Sequence, residues 1–295
     1  MSSRPAARRS VPAGGQGRRA RPVRRASAGL SRVRAGAALV ALASAAAIYG
    51  AASSSAFDYA KLRVQGAHYT DVAAVEASLA DIRGDNLFRI DTQPLEAQLA
   101  QLTTVAQARV QVQLPDTLAV TLEEREPILV WKVGERRYLV DVAGALFAML
   151  PDNPPAEAAA LPVVDDHRAA SAGLSIGRTL ESVDLDAATR LASLGPADVG
   201  SAAEGLAVSL TDENGVLVRS RPAGWTAVFG FYTPSLRTPA LIPGQVRLLR
   251  SLLVGREPQV ERVILASDTD GTYIPRPTPV PKPSTKPTTK PSSAP

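Results

Sequence analysis

The sequence predicts an α+β chain: a single N-terminal transmembrane helix, then an extracytoplasmic β-α-α-β-β domain, then a mixed β-sheet domain with helices on one face. Three observations predict it. Residues 1–34 hold ten arginines and no acidic residue, and residues 35–57 then pass without one charge. Behind that run the apolar residues switch repeatedly between a period of two and the helical period of about 3.6. Once a basic head, the apolar run and a polar tail are set aside, about 215 residues remain, too many for one small module and comfortable for two domains.

The uncharged run, with Leu39, Val40, Leu42, Ile48 and Tyr49 among alanines, would extend about 34 Å as a helix. A bilayer core is about 30 Å thick, so residues 35–57 read as a membrane anchor in contact with lipid. Arginine is retained on the cytoplasmic side, which keeps residues 1–34 inside and exports the rest, a single-pass type II arrangement. A cleaved secretory signal with small residues at Ser54 and Ala56 is the competing reading; the long basic region and long apolar run argue against it. A soluble core helix or an amphipathic surface helix fits less well, because the run has no polar face. Alanine gives it only marginal insertion energy.

The formal charge of +5 belongs to the head, since residues 35–295 hold 23 basic and 28 acidic side chains. The head reads as a disordered topology signal that also touches anionic lipid. It has no interleaved aromatic residue to stack on bases, so nucleic acid is not an expected partner. Cysteine is absent, which excludes disulfides and thiolate catalysis and leaves both domains to stand on hydrophobic cores. Residues 275–295 are Pro, Thr, Ser and Lys with little apolar content and read as an extended, disordered tail carrying Arg276, Lys282, Lys286 and Lys290.

Within the first exported domain, residues 58–126, Leu62 and Val64 place a strand over 61–66. Thr70 is the expected cap of a helix carrying Val72, Val75, Leu79 and Ile82 and stopped by Gly84. Asp91 caps a second helix with Pro94 in its first turn and Leu95, Leu99 and Leu102 on one face. Val110, Val112 and Leu114, a turn at 115–117, then Leu118, Val120 and Leu122 make a hairpin. The carboxylates of this domain are expected along solvent faces, which suits a binding module.

At this point the chain resembles a known family. The segments LRVQGAHYTDVAAVEASL, GDNLFRID, VAQARVQVQLPDTLAVTLEEREPILVW and YLVDVAGALF are similar to the POTRA domain and first β-domain strands of the bacterial FtsQ/DivIB division proteins, with LPVV at 161–164 a further point. A basic head and single anchor are also that family's arrangement. Other POTRA proteins carry several modules before a long barrel of alternating strands, which this chain lacks.

In the second exported domain, residues 127–274, strands are expected at 128–133, 137–142 and 145–150, then at 206–210, 216–220 and 225–229, with an Asn214-Gly215 turn between two of them. Helices are expected at 185–194 and 245–253, the latter with Val246, Leu249 and Leu253 on its apolar face, followed by a last strand at 260–266. Residues 151–182 carry no clear period. A Pro-rich stretch at 231–244 is longer than the family's connection at that place.

Catalytic chemistry has little to work with. His68 and His167 lie about a hundred residues apart, so a paired-His metal site or His triad is not expected. Asp165, Asp166 and His167 read as part of a solvated linker, and His68 as a loop residue. Asp268, Asp270 and Gly271 imitate a calcium loop but have Pro279 where the closing Glu belongs, so they read as a turn. The glycines at 14, 15 and 17 follow no strand, and Glu123, Glu124 and Glu126 alternate faces of an extended segment; neither makes a phosphate loop or an acid/base pair. No cofactor, metal or small-molecule substrate is expected.

The resemblance implies a non-enzymatic cell-division scaffold at the septum, linking membrane proteins of the division machinery and helping control septal peptidoglycan synthesis. It further implies that the last strand of the β domain receives a segment of the coiled-coil partner FtsB by strand addition, with FtsL attached through it. On this chain that strand reads as Val260, Glu261, Arg262, Val263, Ile264, Leu265 and Ala266. The alternative is a membrane-anchored or secreted wall-binding protein or wall enzyme, for which no convergent titratable set is visible.

Overall fold

The computed structural model describes residues 32–222 and 224–277. Most of the basic head and all but the first residues of the tail lie outside the described residues. The chain divides into two units, Met1–Ser54 and Ser55–Pro295.

In the first unit, α1 spans Arg32–Ala52, so it begins three residues earlier and ends five residues earlier than the uncharged run. Ser53 ends it by bonding back to Tyr49 O through its hydroxyl, at 2.7 Å. A hydroxyl that competes for helical carbonyls is a local reason for the stop. The helix is long and apolar enough to cross a membrane by length and composition.

The second unit opens with a three-stranded sheet in the order β1-β3-β2, formed by β1 (Lys61–Gln65), β2 (Val105–Gln113) and β3 (Thr117–Glu124). β1 runs parallel to β3, and β2 is antiparallel to it. The helices α2 (Val72–Ser78) and α3 (Thr92–Leu99) bury Val75, Leu95 and Leu99 against Leu118, Val120 and Leu122 of the sheet. Gly66, at φ +80°, turns the chain out of β1 where a Cβ would lie 2.2 Å from the Leu122 carbonyl oxygen, so only glycine fits.

Two local expectations change here. Asp71, not Thr70, caps α2 by accepting from Ala73 N at 2.9 Å. Thr70 is buried instead, its hydroxyl 2.7 Å from that of Thr104. Glu124 also leaves the solvent face: its side chain is 7 % exposed and accepts the backbone N–H groups of His68, Tyr69 and Thr70 at 2.7–3.0 Å. Three donors converging on one carboxylate hold the loop after β1 against the end of β3.

The rest of the unit is one nine-stranded mixed sheet in the order β12-β11-β10-β9-β8-β7-β4-β5-β6. Its meander is β4 (Leu129–Val133), β5 (Arg136–Val140) and β6 (Leu146–Met149). A one-turn helix, α4 (Ala156–Ala159), leads into β7 (Val163–Asp166), and after α5 (Ser182–Ala192) come β8 (Gly205–Thr211), β9 (Gly215–Arg221) and β10 (Thr226–Gly230). The sheet closes with α6 (Ile242–Leu253), β11 (Val260–Leu265) and β12 (Gly271–Pro275). α5 and α6 cover one face, where Trp131, Trp225, Phe229, Leu191, Leu249 and Leu253 make the main core. On the other face a smaller cluster of Val130, Leu139 and Phe147 receives Tyr69 from the POTRA-like module, ring on edge at 5.9 Å.

β7 overturns the linker reading of 165–167. It lies in mid-sheet, parallel to both β4 and β8. Its alternation sends Asp165 to the open face and Asp166 into the core, where Asp166 is 1 % exposed. Five donors meet the Asp166 carboxylate: Trp131 Nε1 at 3.1 Å, Ser171 Oγ at 2.6 Å, and Arg168 through its backbone N at 3.0 Å, Nε at 3.0 Å and Nη2 at 2.9 Å. Arg168 also pairs with Asp184 of α5 at 2.7 Å, which fastens that helix to the sheet. Burial would raise the Asp166 pKa, but the bonds from Arg168 and Ser171 outweigh it and hold the carboxyl below the usual range.

Candidate functional site

A sheet binds another chain most readily at an unpaired edge. The residues Val260 to Ala266 do not form that edge. β11 lies between β10, to which it is parallel, and β12, to which it is antiparallel, so its backbone is paired on both sides. Val260, Val263 and Leu265 are buried in the core, while Glu261, Arg262, Ile264 and Ala266 are exposed. The spacing of the buried residues departs from strict alternation because the β11–β12 register shifts between Val260 and Arg262. Asp268 and Asp270 fall in the connection between the two strands, where Ser267 N donates to Asp270 O at 3.0 Å.

Among the described residues the last strand is β12, which forms one end of the sheet, with β6 at the other. Tyr273 packs inward on the main core, while Thr272 and Ile274 stand on the open face beside Ile264 and Arg262. Arg276 N donates to Gln259 O at 2.7 Å, so its amide points into the sheet. Backbone direction alternates along an antiparallel strand, and Tyr273, three residues before Arg276, therefore has its N–H and C=O turned outward. The Arg276 guanidinium also bonds Gly224 O at 2.7 Å, so this residue belongs to the fold and not to the tail. Sequence reasoning missed β12, although Asp270-Gly271 before a Thr-Tyr-Ile run is a hairpin signal.

The Pro-rich stretch 231–244 folds back as a strap over the ends of β10 and β11. Thr233 N bonds Arg237 O at 2.8 Å, a turn that carries the Arg237 guanidinium to Phe229 O at 2.6 Å and Leu265 O at 2.7 Å, with a further bond to Ala266 O. Buried Gln245 reaches the same two carbonyls at 3.3 Å and accepts from the Tyr232 hydroxyl at 2.7 Å. Burial pushes the Tyr232 phenol up, with Arg237 opposing, so Tyr232 stays a neutral donor. The strap therefore saturates strand-end carbonyls next to the edge.

Just before the other end of β11, Glu257 accepts from Trp225 Nε1 and Ala202 N, both at 2.9 Å, and from Ser201 Oγ. Those bonds hold its carboxyl low against the effect of burial. They serve structure. His68 has a side chain 80 % exposed and His167 one 55 % exposed, each within 4 Å of a single carboxylate. Among the described residues no three His, Cys, Asp or Glu side chains are placed to hold a metal ion.

Comparison with known proteins bears first on the three-stranded module. Residues 57–125 match the POTRA domain of the FtsQ type. A protein of Mycobacteroides abscessus named cell division protein FtsQ is 39 % identical over 90 residues, 30 % of this chain and 28 % of its own length. The cell division protein FtsQ of Chloroflexus aurantiacus is 25 % identical over 225 residues, 75 % of this chain and 71 % of its own. That of Chloroflexus aggregans is 30 % identical over 112 residues, covering 38 % and 40 %.

Proposed function

This chain is a relative of the FtsQ cell-division proteins through its FtsQ-type POTRA domain, and from that premise we propose that it is a non-enzymatic scaffold of the division machinery. Its helix α1 crosses the membrane with the arginine-rich head in the cytoplasm, and its body lies outside, at the septum. There it links partners of the FtsB and FtsL type and helps control septal peptidoglycan synthesis. Docking is by strand addition, as the family resemblance implies for the last strand, and on this chain that strand is β12.

The observation that carries the reading is the open edge of β12 beside the exposed side chains of Thr272 and Ile274. Tyr273→Pro removes the outward amide donor and is expected to abolish capture of an FtsB-type partner. Tyr273→Ala removes the same side chain but keeps the donor, and should retain most of it. Both are measured by pull-down with the full chain, with thermal unfolding as the folding control. Equal capture by the two variants would place docking elsewhere. Truncation after Pro277 keeps the Arg276 clamp and should leave capture intact.

Topology has its own test. Protease added to intact spheroplasts is expected to digest the body and to leave a membrane-held fragment bearing the N-terminus. A soluble mature protein starting near Phe57 would show a cleaved signal instead.

A further inference from the structure

The sheet face opposite α5 and α6 carries side chains in register across four strands. Lys132 of β4 lies beside Asp165 of β7, Asp165 beside Ser209 of β8, and Ser209 beside Leu217 of β9. In the next row Ala207 of β8 lies beside Arg219, which is followed by Thr226 of β10 and Arg262 of β11. Between these rows opens a trough of about 410 Å³ whose walls include Lys132, Asp165, His167, Ser209, Arg219 and Arg221.

Two independent features mark it. Ser209 is 7 % exposed, yet its buried hydroxyl makes no hydrogen bond, and neither does the buried Oδ1 of its register partner Asp165. A polar side chain left unpaired in the middle of a sheet is uncommon enough to need an explanation. The second feature is charge. Arg219, Arg221 and Arg262 are exposed and form no ion pair or side-chain hydrogen bond with any described residue, whereas Asp165 is already held by Lys132 at 3.0 Å. The face is thus cationic over a dry hydroxyl.

We propose that this trough docks an extended acidic peptide segment of a partner protein, with one carboxylate side chain over Ser209 and Arg219 and the next beside Arg221. Arg219 and Arg221 stand two residues apart on β9, so both project to the same face about 7 Å apart. Carboxylates on alternate residues of an extended peptide have that same repeat, which a single small anion does not. The inference goes beyond the strand-addition reading, because β10 and β11 separate β9 from the β12 edge and the two sites can be emptied separately.

The test uses the full chain in nanodiscs of zwitterionic phosphatidylcholine and fluorescence anisotropy of a labelled, capped peptide of alternating glutamate and valine. Binding is expected, and it should weaken with salt. Arg219→Gln and Arg221→Gln should each weaken it roughly tenfold, the loss of one charge-assisted hydrogen bond. Ser209→Val, which replaces the hydroxyl by methyl groups in a side chain favoured in strands, should weaken it, and Tyr273→Pro should leave it unchanged. Because Arg219 and Arg221 are exposed, their variants are expected to unfold at the wild-type temperature, so lost binding reports the site. The proposal is overturned if no peptide binds, if the glutamine counterpart binds equally, or if the arginine variants bind as wild type. Displacement of the peptide by inorganic phosphate or by phosphatidylglycerol vesicles would overturn it in favour of a phosphate or lipid site.

Discussion

Arg168→Ala is expected to destabilise the β domain by about 3–5 kcal/mol, the cost of leaving a buried carboxylate without its cation. Asp166 keeps Trp131, Ser171 and the backbone N–H of residue 168 in that variant, all uncharged donors at a position 1 % exposed, and α5 loses its bond through Asp184. Thermal unfolding measures the loss. Asp166→Asn in the Arg168→Ala background should recover part of it, because an amide has no charge to strand; no recovery would mean that Arg168 acts through Asp184 alone. The pH dependence reverses between the two proteins. In the wild type the Asp166 pKa is depressed below its ordinary 3.8, so the stabilisation is present above that value and is lost as pH falls through the folded-state pKa. In Arg168→Ala burial is unopposed by the guanidinium, the pKa rises, and the deficit should shrink as the solution is acidified.

The second large effect is expected at Glu124. Its removal by alanine leaves the amides of His68, Tyr69 and Thr70 without their acceptor and should cost about 2–4 kcal/mol, since bonds to a charged group are worth more than neutral ones and part of the site is buried. The loop 67–70 carries Tyr69 onto Phe147, so the loss should spread to the contact between the POTRA domain and the β domain. Hydrogen exchange would detect it as faster exchange at 68–70 and around Phe147. Glu124→Gln keeps one acceptor oxygen and should show a smaller change. Exchange at 68–70 that is unchanged in Glu124→Ala would show that water replaces the carboxylate without cost.

The order of parts was legible along the chain because it rests on local periodicity. The uncharged run, the strand of Leu62 and Val64, the Asp91 cap, the hairpin of Val110 to Leu122 and the apolar face of α6 are each set by residues within a few positions of one another. The segments that matched the FtsQ-type POTRA domain lie in that same region, where local signals are densest.

What the sequence could not decide was which strands become neighbours. β7 has only four residues, carries two aspartates and sits in a Pro- and Ala-rich stretch, so alone it reads as linker; its place between β4 and β8 comes from parallel pairing with strands over thirty residues away. The same holds for Asp166, Glu124 and Arg237, whose partners are distant in sequence and whose burial no local pattern announces. The edge itself is a property of the assembled sheet: β11 has the stronger apolar run, but β12 pairs outside it and takes the free backbone. Periodicity therefore determined the elements of this protein, while long-range pairing and the satisfaction of buried polar groups decided which of their surfaces remain open to a partner.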